Sequence, residues 1–230
     1  MSETATIAQA EIREEVGRRY AGKIGGAAQK QMAKSKYKAD IAGGSLKLQE
    51  SRIIADLLLK DMSAEDWRQA IEEDNVLQKR SPGTAARQAS LLRARLMTMS
   101  PELWELVRDG SKETATHALL AAAVKHSAIL AEFLDRVVRE RFRTFKHDLP
   151  RKLWDEFVLH LRDEDPEMPV WNDSTTRKLG DSVFQILKEA GFIADTKNYL
   201  LQPVQIAPAV LTYLRETGQK DVVQCLQVTL

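Results

Sequence analysis

Histidine, cysteine and clustered carboxylates are the residues from which a metal site or a catalytic centre would have to be assembled in this chain. The four histidines, His117, His126, His147 and His160, show neither His-x-x-x-His nor Glu-x-x-His spacing, so no ready pair of metal ligands arises on one helix face. A single cysteine, Cys225, excludes an intrachain disulfide and a Cys-based zinc cluster and fits a reducing compartment. With no His or basic residue beside it in sequence, it reads as a small buried hydrophobe and not as a nucleophile. The carboxylates Asp163, Glu164, Asp165 and Glu167 are interrupted by Pro166 and followed by Pro169, which breaks EF-hand spacing and favours a solvated loop or a contact surface for a basic partner. No Gly-x-Ser-x-Gly elbow is present, and Gly22-Lys23-Ile24-Gly25-Gly26 lacks the apolar strand that precedes a phosphate-cradling loop. The expectation is a protein with no metal, no cofactor and no catalytic activity.

The basic residues are the positive signal. A formal net charge of +1 conceals strong sorting along the chain. Residues 16–52 carry Lys34, Lys36, Lys38, Lys47 and Arg52 among other cations, opposed only by Asp40 and Glu50. Residues 75–98 carry Lys79, Arg80, Arg87, Arg93 and Arg95 with no acid, and a third basic block runs over 136–152. Acidic stretches at 56–74 and 155–173 separate them. Several cations on one surface would attract a polyanion, with counterion release as the driving force. From charge alone, a solvated helix face with acidic neighbours fits these blocks equally well.

The elements that position these residues are mostly helices. Ser63-x-x-Asp66 resembles a capping box and opens a helix over 64–75, preceded by one over 49–60 with Ile53, Ile54, Leu57 and Leu58 at helical spacing. Ser81-Pro82 starts a helix to about Thr98, with Ala85, Ala89, Leu92 and Leu96 on one stripe and Arg87 opposite. Ser100-Pro101 starts a short helix ending at Gly110. Ser111 caps the long periodic region 112–146, which His126-Ser127 divides or leaves whole. Leu149-Pro150 precedes a helix with Leu153, Trp154, Phe157 and Leu161. Ser174 is the expected cap of a helix to Ala190 that Gly191 terminates. Phe192-Ile193 and Tyr199-Leu200-Leu201 then form a short hairpin, and Pro208 opens a last helix through Leu214. The apolar stretch 114–124 is too short to span a bilayer, and the polar first nine residues do not form a secretory signal, so a cytoplasmic location is expected.

Helix, hairpin and helix from residue 174 onward resemble a winged helix, in which the start of the recognition helix reaches the major groove and the wing touches backbone. Thr175, Thr176, Arg177 and Lys178 occupy that start, and Lys197 lies in the wing. The expected organisation is a basic, partly mobile extension over 1–44, a helical core over 45–165 and a winged-helix-like module over 166–230.

The run Gly44-Ser45-Leu46-Lys47-Leu48-Gln49-Glu50-Ser51-Arg52-Ile53-Ile54-Ala55, then Asn75-Val76-Leu77-Gln78-Lys79-Arg80-Ser81 with Ala85, Arg87 and Arg95-Leu96, resembles the BrxA family of bacteriophage exclusion (BREX) defence systems. Trp171, Ser174-Thr175-Thr176-Arg177-Lys178-Leu179 and Glu189-Ala190-Gly191-Phe192 extend the match, which covers most of the chain from about Lys38. The resemblance implies an all-α, NusB-like bundle with helix-turn-helix elements that binds double-stranded DNA and is not an enzyme. The expected contacts are Lys34, Lys36, Lys38, Arg52, Lys79, Arg80, Arg87, Thr175, Thr176, Arg177 and Lys178. Other BREX proteins are expected partners through the acidic segments, and RNA binding of the NusB type or a scaffolding role stand as alternatives.

Overall fold

The computed structural model describes residues 35–42 and 44–229, and among these the regular structure is helical. Helix α1 (Leu48–Leu59) leads to α2 (Ala64–Arg68), which widens into a π-helical turn at Gln69–Glu73. Helices α3 (Pro82–Leu96), α4 (Pro101–Asp109) and α5 (Lys112–His126) follow, then α6 (Ala128–Glu132), a second π segment (Phe133–Val138) and α7 (Arg139–Arg143). The C-terminal half holds α8 (Lys152–Glu164), α9 (Asp173–Glu189), α10 (Pro208–Glu216) and α11 (Lys220–Leu226).

Local chemistry explains the helix starts. The hydroxyls of Ser63, Ser81 and Ser111 each accept the backbone N–H three residues on, satisfying a donor the first helical turn leaves orphaned. Ser174 does not cap α9. Asn172 does, its Oδ1 accepting the Thr175 N–H at 2.8 Å while Ser174 Oγ donates to the same oxygen. At the other end Gly191, at φ 86°, lets the Phe192 N–H turn back to Leu187 O at 2.8 Å. The 112–146 region is two arms bent by 109° at Ser127, so the divided alternative is the observed one. Among the described residues no single helix is long and apolar enough to cross a membrane. In α5, Ala118 through Val124 are all buried in protein.

One contiguous apolar core runs from Tyr37 to Val228. Its aromatic centre is Phe133, edge-on to Trp154 and Phe157 with ring centroids 5.4 and 5.3 Å away, and 6.0 Å from Phe184. This group joins the second π segment to α8 and α9. The part of the expected extension that is described, 35–42 and Gly44, packs onto the core through the buried Tyr37 and Ile41.

The hairpin forms, with a third member that sequence did not reveal. Ile193 bridges Leu201 in antiparallel fashion, and Leu200 bridges Asp148 from the segment before α8. Leu149 N–H donates to Tyr199 O and Leu201 N–H to His147 O, so a ribbon of 147–149, 199–202 and 192–194 frames the α8–α9 pair. Helix α11 was also unforeseen; it is seven residues long, lacks a side-chain cap, and buries Val222, Cys225 and Leu226.

His117 clamps α5 to the C-terminal half. Its Nδ1 accepts the Ala207 N–H at 3.0 Å, and the ring also bonds the Ala190 backbone. Burial pushes its pKa below the ordinary histidine value, against the raising field of Glu113. A folded-state pKa below the unfolded one means that the unfolded chain binds more protons. The stabilisation is therefore fully present above the unfolded value of about 6.5 and is lost progressively as pH falls from there through the lowered folded-state value. The urea midpoint is expected to drop between pH 7.5 and 5.5, and His117→Gln to flatten that slope; an unchanged slope would remove His117 as the cause.

Candidate nucleic-acid interface

The stretch Asn75 to Ser81 is a clamped loop. Asn75 sits at φ 49° in the left-handed region that asparagine tolerates, and its side chain brackets Lys79, donating to Lys79 O at 2.9 Å and accepting Lys79 N–H at 2.8 Å. Leu77 anchors the loop in the core, and Lys79 Nζ pairs with Glu50 at 2.6 Å. The Lys79 ammonium helps to hold that carboxylate below its ordinary pKa, against the opposing effect of burial. The loop presents Gln78 and, one residue before the Ser81 cap, Arg80 outward. Arg87 is exposed in the second turn of α3, on the side away from Ala85, Ala89 and Leu92.

On α9, Thr175 and Thr176 are half-buried, and Arg177 and Lys178 are exposed. Among the described residues neither cation forms a side-chain ion pair. The α9 backbone is held from α8: Trp154 Nε1–H donates to Thr176 O at 2.9 Å, and Arg151 donates to Arg177 O at 2.8 Å and to Asp181 at 2.6 Å. Gly180 permits this approach, because a Cβ there would lie 2.7 Å from the Trp154 ring. The cleft between the helices, about 540 Å³, is lined by Arg151, Arg162 and Arg177 facing Asp155, Asp173 and Asp181, so it is electrically balanced. Arg177 thus shares the cleft with these carboxylates, and Lys178, exposed, lies outside its lining.

The remaining expected contacts divide. Arg52 turns inward, donating to Arg108 O at 3.2 Å and Gly110 O at 2.6 Å, where it caps the C-terminus of α4. Lys36 is exposed but paired with Glu132 and lies 5.1 Å over the Tyr37 ring. Lys38 is exposed, near His126 and Asp40. Lys34 lies outside the described residues. Arg95, counted in the basic block, is 4% exposed and donates to the backbone oxygens of Ser45 and Gly44. Among the described residues no group of His, Cys, Asp and Glu could hold a metal ion, and burial pushes the Cys225 thiol up to about 11.

The BrxA family model matches residues 35–218. The chain belongs to the BrxA family. A "BREX protein BrxA" of Paramagnetospirillum magneticum is 57% identical over 199 residues, which span 86% of this chain and all of that protein. Another, from Escherichia coli O9:H4 (strain HS), is 36% identical over 82% of this chain and 88% of its own length. A solved structure described as an uncharacterized protein from Magnetospirillum magneticum superposes with a TM-score of 0.79 at 55% identity, covering 84% of this chain and all of that one. BrxA is a component of BREX phage defence. The BrxA match starts at Ser35, where the described chain begins; the basic residues upstream lie outside it.

Proposed function

We propose that this BrxA chain is a non-catalytic, cytoplasmic binder of double-stranded DNA that works without a cofactor and largely without sequence preference. The observation that carries the reading is the exposed Arg177-Lys178 pair on a helix whose backbone is clamped by α8 and whose far end leads into the 192–202 hairpin. The expected winged-helix-like module over 166–230 holds α9 and the 192–202 hairpin, and the order of segment 147–149, α8, α9 and hairpin resembles that of winged helices, whose recognition helix meets the major groove; the resemblance supports the reading. Long basic side chains on such a face contact phosphates, which positions the protein but reads no bases.

Anisotropy with unrelated duplexes between 50 and 200 mM salt tests this. Affinity is expected to fall steeply and similarly for all sequences, and Arg177→Glu with Lys178→Glu to weaken every duplex and lower the log–log salt slope by about 2. No binding at low salt, or a variant indistinguishable from wild type, would sink the reading. RNA supplied as competitor separates this from NusB-type binding, for which RNA should win.

A second reading, docking of other BREX proteins, is favoured by the exposed Glu65, Asp66, Glu72, Glu73 and Asp74 around α2 and its π turn. Partners retained on the chain after nuclease treatment would support it, and partners lost would favour bridging by DNA.

A further inference from the structure

Helix α7 ends in a turn whose geometry favours glycine and whose residue is phenylalanine. The Phe145 N–H donates to Phe142 O at 3.0 Å and the Lys146 N–H to Arg141 O at 2.9 Å, a pair of bonds that closes a helix when the residue between takes the left-handed conformation; Phe145 is there at φ 54°. The same pair of bonds closes α9 around Gly191 and α10 around Gly218, at φ 86° and 69°. Glycine adopts this conformation freely, whereas the Cβ of any other L-residue crowds a carbonyl oxygen.

No packing compensates the strain at Phe145. Its side chain is 85% exposed and lies outside the apolar core, while the other phenylalanines of the described chain are buried or half-buried. A bulky residue held in a strained conformation with its ring in solvent points to a surface kept for a ligand.

The surroundings select that ligand. Residues 139–148 hold four cations against two carboxylates, and both carboxylates are engaged, Glu140 by Arg143 at 2.8 Å and Asp148 by Arg141. Lys146, next to the ring, is exposed and among the described residues forms no ion pair. Across the ribbon, Leu200, opposite Asp148, is 47% exposed. One aromatic and one aliphatic side chain amid cations offer too little apolar surface for a stable protein interface, which buries about 800 Å² on each partner. A nucleic-acid base asks for less: one flat face to stack on, with a cation in reach of a neighbouring phosphate. Within a paired duplex the base faces are covered by their neighbours, so such a ring takes a base where the stack is open.

We propose that Phe145 and Lys146 form a stacking site for an unpaired base of a DNA strand, the ring covering the base and the ammonium meeting the adjoining phosphate. This goes beyond the duplex-binding reading, in residues and in the form of DNA, and stands whether or not α9 meets a duplex.

The full chain is titrated at low salt with a labelled single strand of about 12 nucleotides and a blunt duplex of about 24 base pairs. Phe145→Gly is expected to lose about tenfold or more on the single strand, to bind the duplex like wild type, and to keep or raise the melting temperature, since glycine suits the turn. Phe145→Trp should retain single-strand binding, and its emission should be quenched on titration beyond any change in the four native tryptophans. Lys146→Gln should lower the log–log salt slope on the single strand by about 0.7. A wild-type chain that does not bind the single strand, a Phe145→Gly protein that binds it equally well, or one that weakens on both DNAs alike overturns the proposal. So does a Phe145→Gly protein that melts below wild type, which would give the ring a role in the fold, or one that loses only binding to phosphatidylserine vesicles, which would make the ligand a lipid surface. Failure of wild type on the duplex alone removes the α9 reading and leaves this site standing.

Discussion

Phe133→Ala is expected to lower the free energy of unfolding by about 3–5 kcal/mol, measured by urea denaturation at pH 7.5. The ring is fully buried, touches Trp154, Phe157 and Phe184 in edge-on or tilted geometry, and belongs to the π segment that follows the 109° bend. Removing it takes away its transfer free energy and leaves a cavity among three large rings, none of which can collapse onto the space without leaving its own partners. Phe133→Leu should cost roughly 1–2 kcal/mol, because most of the volume remains. Equal losses for Ala and Leu would show that the edge-on ring geometry, and not the volume, supplies the energy. The same cavity lies beneath the contact of α8 with α9, so the Ala variant should also bind duplex DNA more weakly under conditions where it is still folded.

That dependence explains which features were legible in the sequence. Helix starts are local: Ser81-Pro82 and Ser111 place a side-chain acceptor within three residues of the donor it satisfies, so residue type and spacing suffice. At α9 two capping residues stand two positions apart, and the choice of Asn172 over Ser174 falls to the Ser174 hydroxyl donating to the Asn172 amide oxygen. The third ribbon segment depends on Asp148 meeting Leu200, 52 positions later in the chain, which no local pattern encodes. Helix α11 has no cap and only three buried positions, so its formation depends on packing against the rest of the core.

The charge pattern divides in the same way. Arg80, Arg87, Arg177 and Lys178 are exposed where helical phase and turn position put them. Arg52 and Arg95 carry the same charge in the same blocks, yet Arg52 caps the end of α4 and Arg95 holds the 44–46 backbone, because carbonyls from distant segments converge on them. A basic run records charge and not direction. The Asn75–Ser81 stretch, one of the runs on which the family resemblance rests, is loop geometry that delivers Arg80, with Lys79 occupied by Glu50.

Gly180→Ala is the other change expected to have a large effect, and its sign runs against helix propensity. Alanine in place of glycine within a helix ordinarily gains up to about 1 kcal/mol. At Gly180 the new methyl would stand 2.7 Å from Trp154 Cδ1, 2.8 Å from its Nε1 and 2.8 Å from an Arg151 nitrogen. The Arg151 end can swing aside, but Trp154 is fully buried between Phe133 and Phe157 and has nowhere to move. Relief must come from separating α8 and α9, which stretches the Trp154 bond to Thr176 O and the Arg151 bond to Arg177 O. Overpacking of this kind costs roughly 1–3 kcal/mol, and loss of a hydrogen bond adds about 1 kcal/mol. Gly83→Ala is the matched control, since a Cβ there meets nothing within 4 Å. Urea midpoints should therefore move in opposite directions, down for Gly180→Ala and level or slightly up for Gly83→Ala. Because the displaced bonds end on the carbonyls beside Arg177 and Lys178, Gly180→Ala should also weaken duplex binding without altering any charge. A Gly180→Ala protein as stable as wild type would mean that the close α8–α9 packing does not hold the α9 face in place.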